Sequence, residues 1–435
     1  MIALSLLVIR RSNFIAWIVL SISIVLLVAP SALAEPVPGA TKVTLDEAVQ
    51  IALQHNHNLR ATRTTIPQSE ADEVTAALRP NPTLSTTWGN LPLYPKPPEG
   101  YGANIRDSSQ VDVGLSYEFE LGRRGRRMRA AKDATAVTRS QVNQSERDLT
   151  FQVGSQFIAV QLAESTLELA KANLESFQKA VDISAIRFQS GGISENDYLK
   201  IKLELLQFET DVKQAELDKA QALVDLRQSL GYESVAADYD VQGDFEYKPV
   251  TVSLEALERQ ALQNRPDLRA AAQSLTAANS QHALAKANGV PNLTASVDWL
   301  FSGGIHAAAV GLSIPLPIFD RNQGEVAKSY HAINQAQEQQ AEALGQVMTD
   351  VKRAYDGLRA SERIMQYFES GYLEVSLKSR EVSQYSYERG AASLLDFLDS
   401  ERSYRQTQLA YRQAIADYLN AVEQVRQAVG RRTVP

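Results

Sequence analysis

The sequence predicts a mainly α protein with a small β part, in which very long coiled-coil helices and paired strands are built twice. Three observations carry this: two long intervals without proline, four short runs of alternating polarity, and an internal repeat over most of the chain. The 435 residues contain no cysteine, carry a formal charge of −7 and are 44% hydrophobic. A thiol nucleophile, a Cys-ligated zinc and an iron–sulfur cluster are therefore excluded. The apolar content is that of a folded chain. The slight acidity offers no basic footprint for nucleic acid.

The first segment reads as an address. Arg10 and Arg11 precede a mostly apolar run from Phe14 to Ala29, followed by Pro30 and Ala32-Leu33-Ala34. Charge, apolar core and an A-x-A site in that order mark a secretory signal peptide, residues 1–34, with cleavage expected after Ala34. An uncleaved anchor is the alternative, but the run is short of the roughly 20 residues a spanning helix needs. Beyond Ala34 no stretch is apolar for long enough to span, so insertion of the mature chain would require a barrel.

The helices follow from proline and periodicity. No proline stands between Pro98 and Pro249, or between Pro317 and Pro435. Proline inside a helix removes a hydrogen bond and costs about 3 kcal/mol, so both gaps permit long helices. Val160, Ala163, Leu167, Ala170, Leu174, Phe177, Val181 and Phe188 recur at spacings of three and four, with Ser184 in one slot. After Gly191-Gly192 the seam resumes through Tyr198, Ile201, Leu205, Phe208, Val212, Ala215, Ala222 and Leu226, with Lys219 as the exception. These are coiled-coil seams. A helix from about Arg126 to Ser190 would be on the order of 100 Å long at 1.5 Å per residue, too long for a compact bundle. Pro67 should kink the first helix.

Four strands are expected, in two pairs. Val111, Val113, Leu115, Tyr117, Phe119 and Leu121 alternate with mostly polar residues. So do Leu293, Ala295, Val297, Trp299 and Phe301, and a further run from Ala308 to Ile318; a weaker one spans Thr83 to Leu91. Period two gives each strand an apolar and a polar face. Around ten residues is the length of a tilted membrane strand, and Trp88, Trp299 and Phe301 would suit interfacial belts. From the strands alone, a soluble sandwich with one wet face fits equally. Four strands cannot close a lumen-containing barrel, which needs at least eight, so several chains would have to share one.

The repeat ties these elements together. Thr44-Leu45 through Leu59-Arg60 matches Ser253-Leu254 through Leu268-Arg269, and Pro82-Thr83-Leu84 matches Pro291-Asn292-Leu293. Val113-Gly114-Leu115-Ser116 matches Val310-Gly311-Leu312-Ser313, and Gly231 matches Gly430. Phe188-Gln189-Ser190-Gly191, Ser194, Asp197 and Leu199 match Tyr387-Glu388-Arg389-Gly390, Ser393, Asp396 and Leu398. The halves run 35–231 and 253–430, joined by a linker at 232–252 and followed by a short tail at 431–435. Each reads helix, strand pair, long helix, glycine turn, helix.

This order, with the Phe-x-x-Gly-x-x-Ser-x-x-Asp-x-Leu turn at Phe188 to Leu199 and its partner at Tyr387 to Leu398, resembles the TolC-type outer-membrane efflux proteins. The resemblance covers essentially the mature chain. It implies a homotrimer, with four strands per protomer in one twelve-stranded transmembrane β-barrel and the helices in a periplasmic α-barrel. It implies a passive exit duct in the outer membrane, serving an inner-membrane pump of the resistance-nodulation-division or another type through a periplasmic adaptor. The segment Glu120-Leu121-Gly122-Arg123-Arg124-Gly125-Arg126-Arg127 also looks like the heavy-metal efflux branch, though a basic cluster there also reads as an interfacial charge belt.

The same resemblance assigns site residues at the two turns, which in the family form the periplasmic mouth. Ser194 and Ser393 are placed as helix N-caps, and the turn glycines permit positive φ. Asp396 and Asp399, three apart and so on one helix face, match aspartates lining the mouth. Trimerised, they would form a cation-favouring carboxylate ring; the plainer reading is capping and solvation. Tyr387 and Asp197 match a contact that holds the mouth shut, and Ala392 stands where the family has a second restraining arginine. Arg389, Gly390 and Ala391, with Gly191, match the adaptor contact.

No catalytic, cofactor or metal site is expected. His55, His57, His282, His306 and His331 lack the spacing of a helical metal site, and no nucleotide fingerprint stands in context. A type I protein-secretion conduit shares the fold and stays open as an alternative. A periplasmic adaptor or scaffold would explain the helices but not two matched strand pairs. The loop from Asn90 to Asp107 is expected to be extracellular.

Overall fold

The computed structural model describes residues 42–89 and 109–432, so the signal segment and the 90–107 loop lie outside the described residues. The first half opens with β1 (Lys42–Val43), α1 (Leu45–His55), α2 (His57–Arg63) and α3 (Thr65–Ala77). Thr44 starts α1 through a reciprocal capping box with Glu47. The helical run breaks at Thr64, where Pro67 has no N–H to offer the Arg63 carbonyl. Then come β2 (Thr83–Gly89), β3 (Gln110–Phe119), α4 (Arg123–Gln189) and α5 (Glu195–Leu230). Helix α4 has 67 residues and no interruption.

The second half repeats the order. After β4 (Asp240–Val241) come α6 (Leu254–Asn264), α7 (Pro266–Asn288), β5 (Leu293–Ser302) and β6 (Ile305–Ser313). Then follow α8 (Gln323–Tyr367), a π-helical segment (Phe368–Tyr372), α9 (Leu373–Glu388) and α10 (Leu394–Val429). Ser253 caps α6 as Thr44 caps α1. Helices α5 and α10 each have 36 residues and end on positive-φ glycines, Gly231 and Gly430. The halves differ along the counterpart of α4, which is broken where Gly371 adopts φ 102°.

The two strand pairs join into one antiparallel sheet of order β2-β3-β5-β6. Leu84, Leu115, Val297 and Val310 share one row, and Trp88, Val111, Phe301 and His306 another, all on the same face. The opposite face carries Ser85, Gly114, Asp298 and Ala309. Gly114 leaves room there for the Asp298 carboxylate, which would collide with any Cβ. Strand β6 spans Ile305–Ser313 instead of the expected 308–318. It begins early because Gly303 and Gly304, with φ of 57° and 81°, make a two-residue hairpin turn. It stops early because Pro315 and Pro317 have no N–H for a ladder.

Core packing lies in the helices and the short β1–β4 strand pair, away from the four-stranded sheet. In the first half Val43, Ala52 and Leu59 pack on Val153, Phe157, Leu226 and Leu230. In the second, Leu257 and Ala261 pack on Val351, Leu358, Tyr418 and Val425. The seam exception, Lys219, is explained here: its ammonium reaches Glu164 at 3.1 Å and Asp240, in β4, at 2.8 Å. Burial works against its charge, but these two bonds outweigh that and raise its pKa. The sheet supplies no residue to these clusters, and its apolar face stands exposed, Val310 at 84% and Leu84 at 71%. No helix among the described residues is long and apolar enough to cross a membrane.

The basic segment after β3 does specific work at the strand-to-helix corner. Arg124 donates to the Ala77 carbonyl at 2.7 Å, and Arg127 to those of Ala76 and Leu78 at 2.9 and 2.7 Å. Arg123 donates to the carbonyls of Ala287 and Asn288 at 3.2 and 2.9 Å. These are the open C-terminal carbonyls of α3 and α7, which lysine and arginine commonly satisfy. Three of these arginines are thus structural caps, a narrower role than a diffuse charge belt.

Candidate functional site

The long helices reverse at two turns built alike. In the first, Gly191 (φ 77°) donates to the Phe188 carbonyl at 3.0 Å and Gly192 to the Arg187 carbonyl at 2.7 Å. In the second, Gly390 (φ 73°) donates to Tyr387 at 3.0 Å and Ala391 to Ser386 at 2.8 Å. Each is a Schellman ending, with glycine at the one position that needs left-handed backbone. Ser194 then accepts from the Asp197 amide at 3.1 Å, and Ser393 from the Asp396 amide at 3.2 Å. Both serines are N-caps, as the repeat predicts.

The caps differ in one respect. The Asp396 carboxylate reaches back to the Ser393 amide at 3.2 Å and accepts from its hydroxyl at 2.7 Å, closing a box. The Ser393 hydroxyl, then the Ser393 amide, hold the Asp396 pKa below the usual aspartate range. Asp396 therefore has a structural job whatever else it does. It remains exposed, as do Asp399, Gly191, Ser194, Arg389, Gly390, Ala391 and Ser393. The Arg389 guanidinium lies 4.6 Å from the Tyr385 ring centroid.

Behind the turns lies an aromatic core shared by both hairpins. Phe177 stacks on Phe208 at 4.5 Å and on Phe397 at 6.3 Å, and Phe397 stacks on Tyr387 at 5.2 Å. Tyr387 is only 6% exposed, and its hydroxyl has no hydrogen-bond partner among the described residues. The expected contact between Tyr387 and Asp197 is thus not made within the protomer: stacking on Phe397 buries the ring, and Asp197 stands in the first turn of α5.

Three arginines missed at the sequence level fasten the hairpins. Arg187, from α4, donates to the Tyr387 carbonyl at 2.8 Å, and its guanidinium lies 5.1 Å from the Tyr387 ring centroid. Arg380, from α9, holds Glu401 at 2.6 Å and reaches Ser176 on α4 at 2.7 Å. Burial raises the Glu401 pKa, and Arg380 works against that. Arg405, from α10, pairs with Asp211 on α5 at 3.1 Å and stands near Glu204 at 3.8 Å. An available signal was asymmetry between the repeats: the counterpart of Arg187 is Ser386.

The comparisons with known proteins meet this geometry. Residues 48–232 and 257–431 match the family model for outer membrane efflux proteins. The chain belongs to that family. It is accordingly an outer-membrane efflux channel component, with its helical part extending into the periplasm. The cobalt-zinc-cadmium resistance protein CzcC of Cupriavidus metallidurans is 25% identical over 403 residues, covering 91% of this chain and 92% of that protein. The pyoverdine export outer membrane protein OpmQ of Pseudomonas aeruginosa is 24% identical over 377 residues, covering 82% of this chain and 79% of OpmQ. A crystal structure of CusC superposes with a TM-score of 0.74 at 19% identity, covering 92% of this chain and 97% of CusC. That likeness is one of fold: long helices forming an α-barrel, with a small sheet contributed to a β-barrel. Among the described residues no His, Asp or Glu group is arranged to hold a metal ion.

Proposed function

We propose that three copies of this chain form a passive exit duct for a tripartite efflux system of the heavy-metal branch. A resistance-nodulation-division pump would supply the energy, and a periplasmic adaptor would meet the exposed turns at Gly191 and at Arg389, Gly390 and Ala391. One observation carries the reading: an unclosed four-stranded sheet, apolar on one face and polar on the other, at the far end of a 67-residue helix from two paired turns. Such a sheet satisfies its edges and hides its apolar face only in a shared barrel within lipid. The metal branch is supported by the match to CzcC along 91% of the chain. Asp396 and Asp399, exposed just past the second turn, are proposed as the carboxylate ring of the mouth.

The test is planar-bilayer recording of the detergent-purified protein. The expected result is a heat-modifiable trimer whose cation-preferring conductance is blocked by a trivalent cobalt ammine complex. Replacing Asp396 and Asp399 together by alanine should relieve the block. A monomer that stays in solution without detergent would overturn the duct, and undiminished block in the variant would overturn the ring alone.

A further inference from the structure

We infer that Arg187 is the latch of the periplasmic mouth, holding the second hairpin against the first through the main-chain carbonyl of Tyr387. The inference rests on the reading of these turns as the mouth of a duct. Its geometry is specific. Tyr387 lies in the last turn of α9, and its carbonyl already accepts from Gly390 within the second turn. The Arg187 guanidinium adds a charged donor to that oxygen at 2.8 Å from the other hairpin, so it grips the turn itself. The same guanidinium lies over the Tyr387 ring, 5.1 Å from its centroid, which adds a cation–π attraction.

Two further observations point the same way. The Tyr387 hydroxyl has no partner among the described residues, so the link runs through the carbonyl and the ring face. The contact is also one-sided. The repeat sets Ser386 opposite Arg187, and Ala392, after the second turn, offers no donor in return. Among the described residues, the charged hydrogen bond onto the turn itself thus comes from Arg187, and a partner docking on the turns could displace it.

The experiment is single-channel recording of the full-length trimer in four forms beside the wild type. Arg187→Ala should raise resting conductance several-fold while trimers still form. Arg187→Lys keeps one donor and the charge, and should fall between. Tyr387→Phe keeps carbonyl and ring and should match the wild type. Arg412→Ala is the distal control, because Arg412 joins the same hairpins at the Ser165 carbonyl at 3.1 Å, well away from the turns. It should also match the wild type. Wild-type conductance in Arg187→Ala would overturn the latch, as would an equal rise in Arg412→Ala, which would mean general loosening. Opening by Tyr387→Phe would place the restraint on the hydroxyl and overturn it too. If the wild-type protein forms no channel, the duct reading falls and the latch with it; if it does, failure of Arg187→Ala removes the latch alone.

Discussion

The strand end and the turn end of this chain are finished to different degrees. At the turn end Phe177, Phe208, Tyr387 and Phe397 are buried within one protomer, and both glycine turns have their hydrogen bonds made. At the strand end, among the described residues, a single layer stands with an apolar face uncovered and with β2 and β6 each paired on one side only. A sheet needs something against its apolar face, and here lipid and neighbouring copies must supply it. The fold thus divides its stability between contacts made inside the chain and contacts deferred to assembly.

That division can be broken first at the strand end. Val310→Arg puts a cation on the apolar face near the middle of β6, where the cost in a membrane is about 2–4 kcal/mol per chain and recurs in every copy. Trimer bands in the outer-membrane fraction should vanish, whereas Ala309→Arg, on the opposite face, should leave them. Equal loss from both would mean that the faces are not distinguished by lipid. The next largest effect belongs to the turn end. Phe397→Ala removes a ring stacked between Phe177 and Tyr387 and should cost about 3–5 kcal/mol. Protease should then cut near Arg389 while the trimer persists; an uncut turn would show that the core is not what orders it.

The smallest effect is on pH. Asp396 has a lowered pKa, so its cap is complete above the ordinary aspartate value of about 3.9 and is lost as pH falls through the lower folded value. Amide exchange at Ser393, whose N–H donates to that carboxylate, should accelerate in that window. The amide at Ser194, where Asp197 closes no such box, should change less. Equal acceleration at both would remove the distinction between the caps.

Much of this was legible in the sequence because it depends on local backbone chemistry. Alternation placed four strands, a three-four seam placed the buried Val160, Phe177, Ile201 and Phe208, and Ser-x-x-Asp after a glycine placed both caps. What escaped involves partners far apart in the chain. Arg187 acts on a carbonyl 200 positions away, and carbonyls leave no trace in composition. Arg123, Arg124 and Arg127 read as a charge cluster because the helix ends they cap come from other segments. Gly371 interrupts the helix within an otherwise helical pattern, and an isolated glycine there does not announce a break. The early end of β6 was readable, since Pro315 and Pro317 forbid further pairing.

The two open borders of the sheet have a consequence for biogenesis. A copy that has folded its helices alone still offers adhesive strands to any passing polypeptide. Completion of the sheet is then a matter of concentration, since association of copies is governed by mass action. Scarcity would harm this protein much as a damaging mutation does, by prolonging the wait during which a lone copy can aggregate.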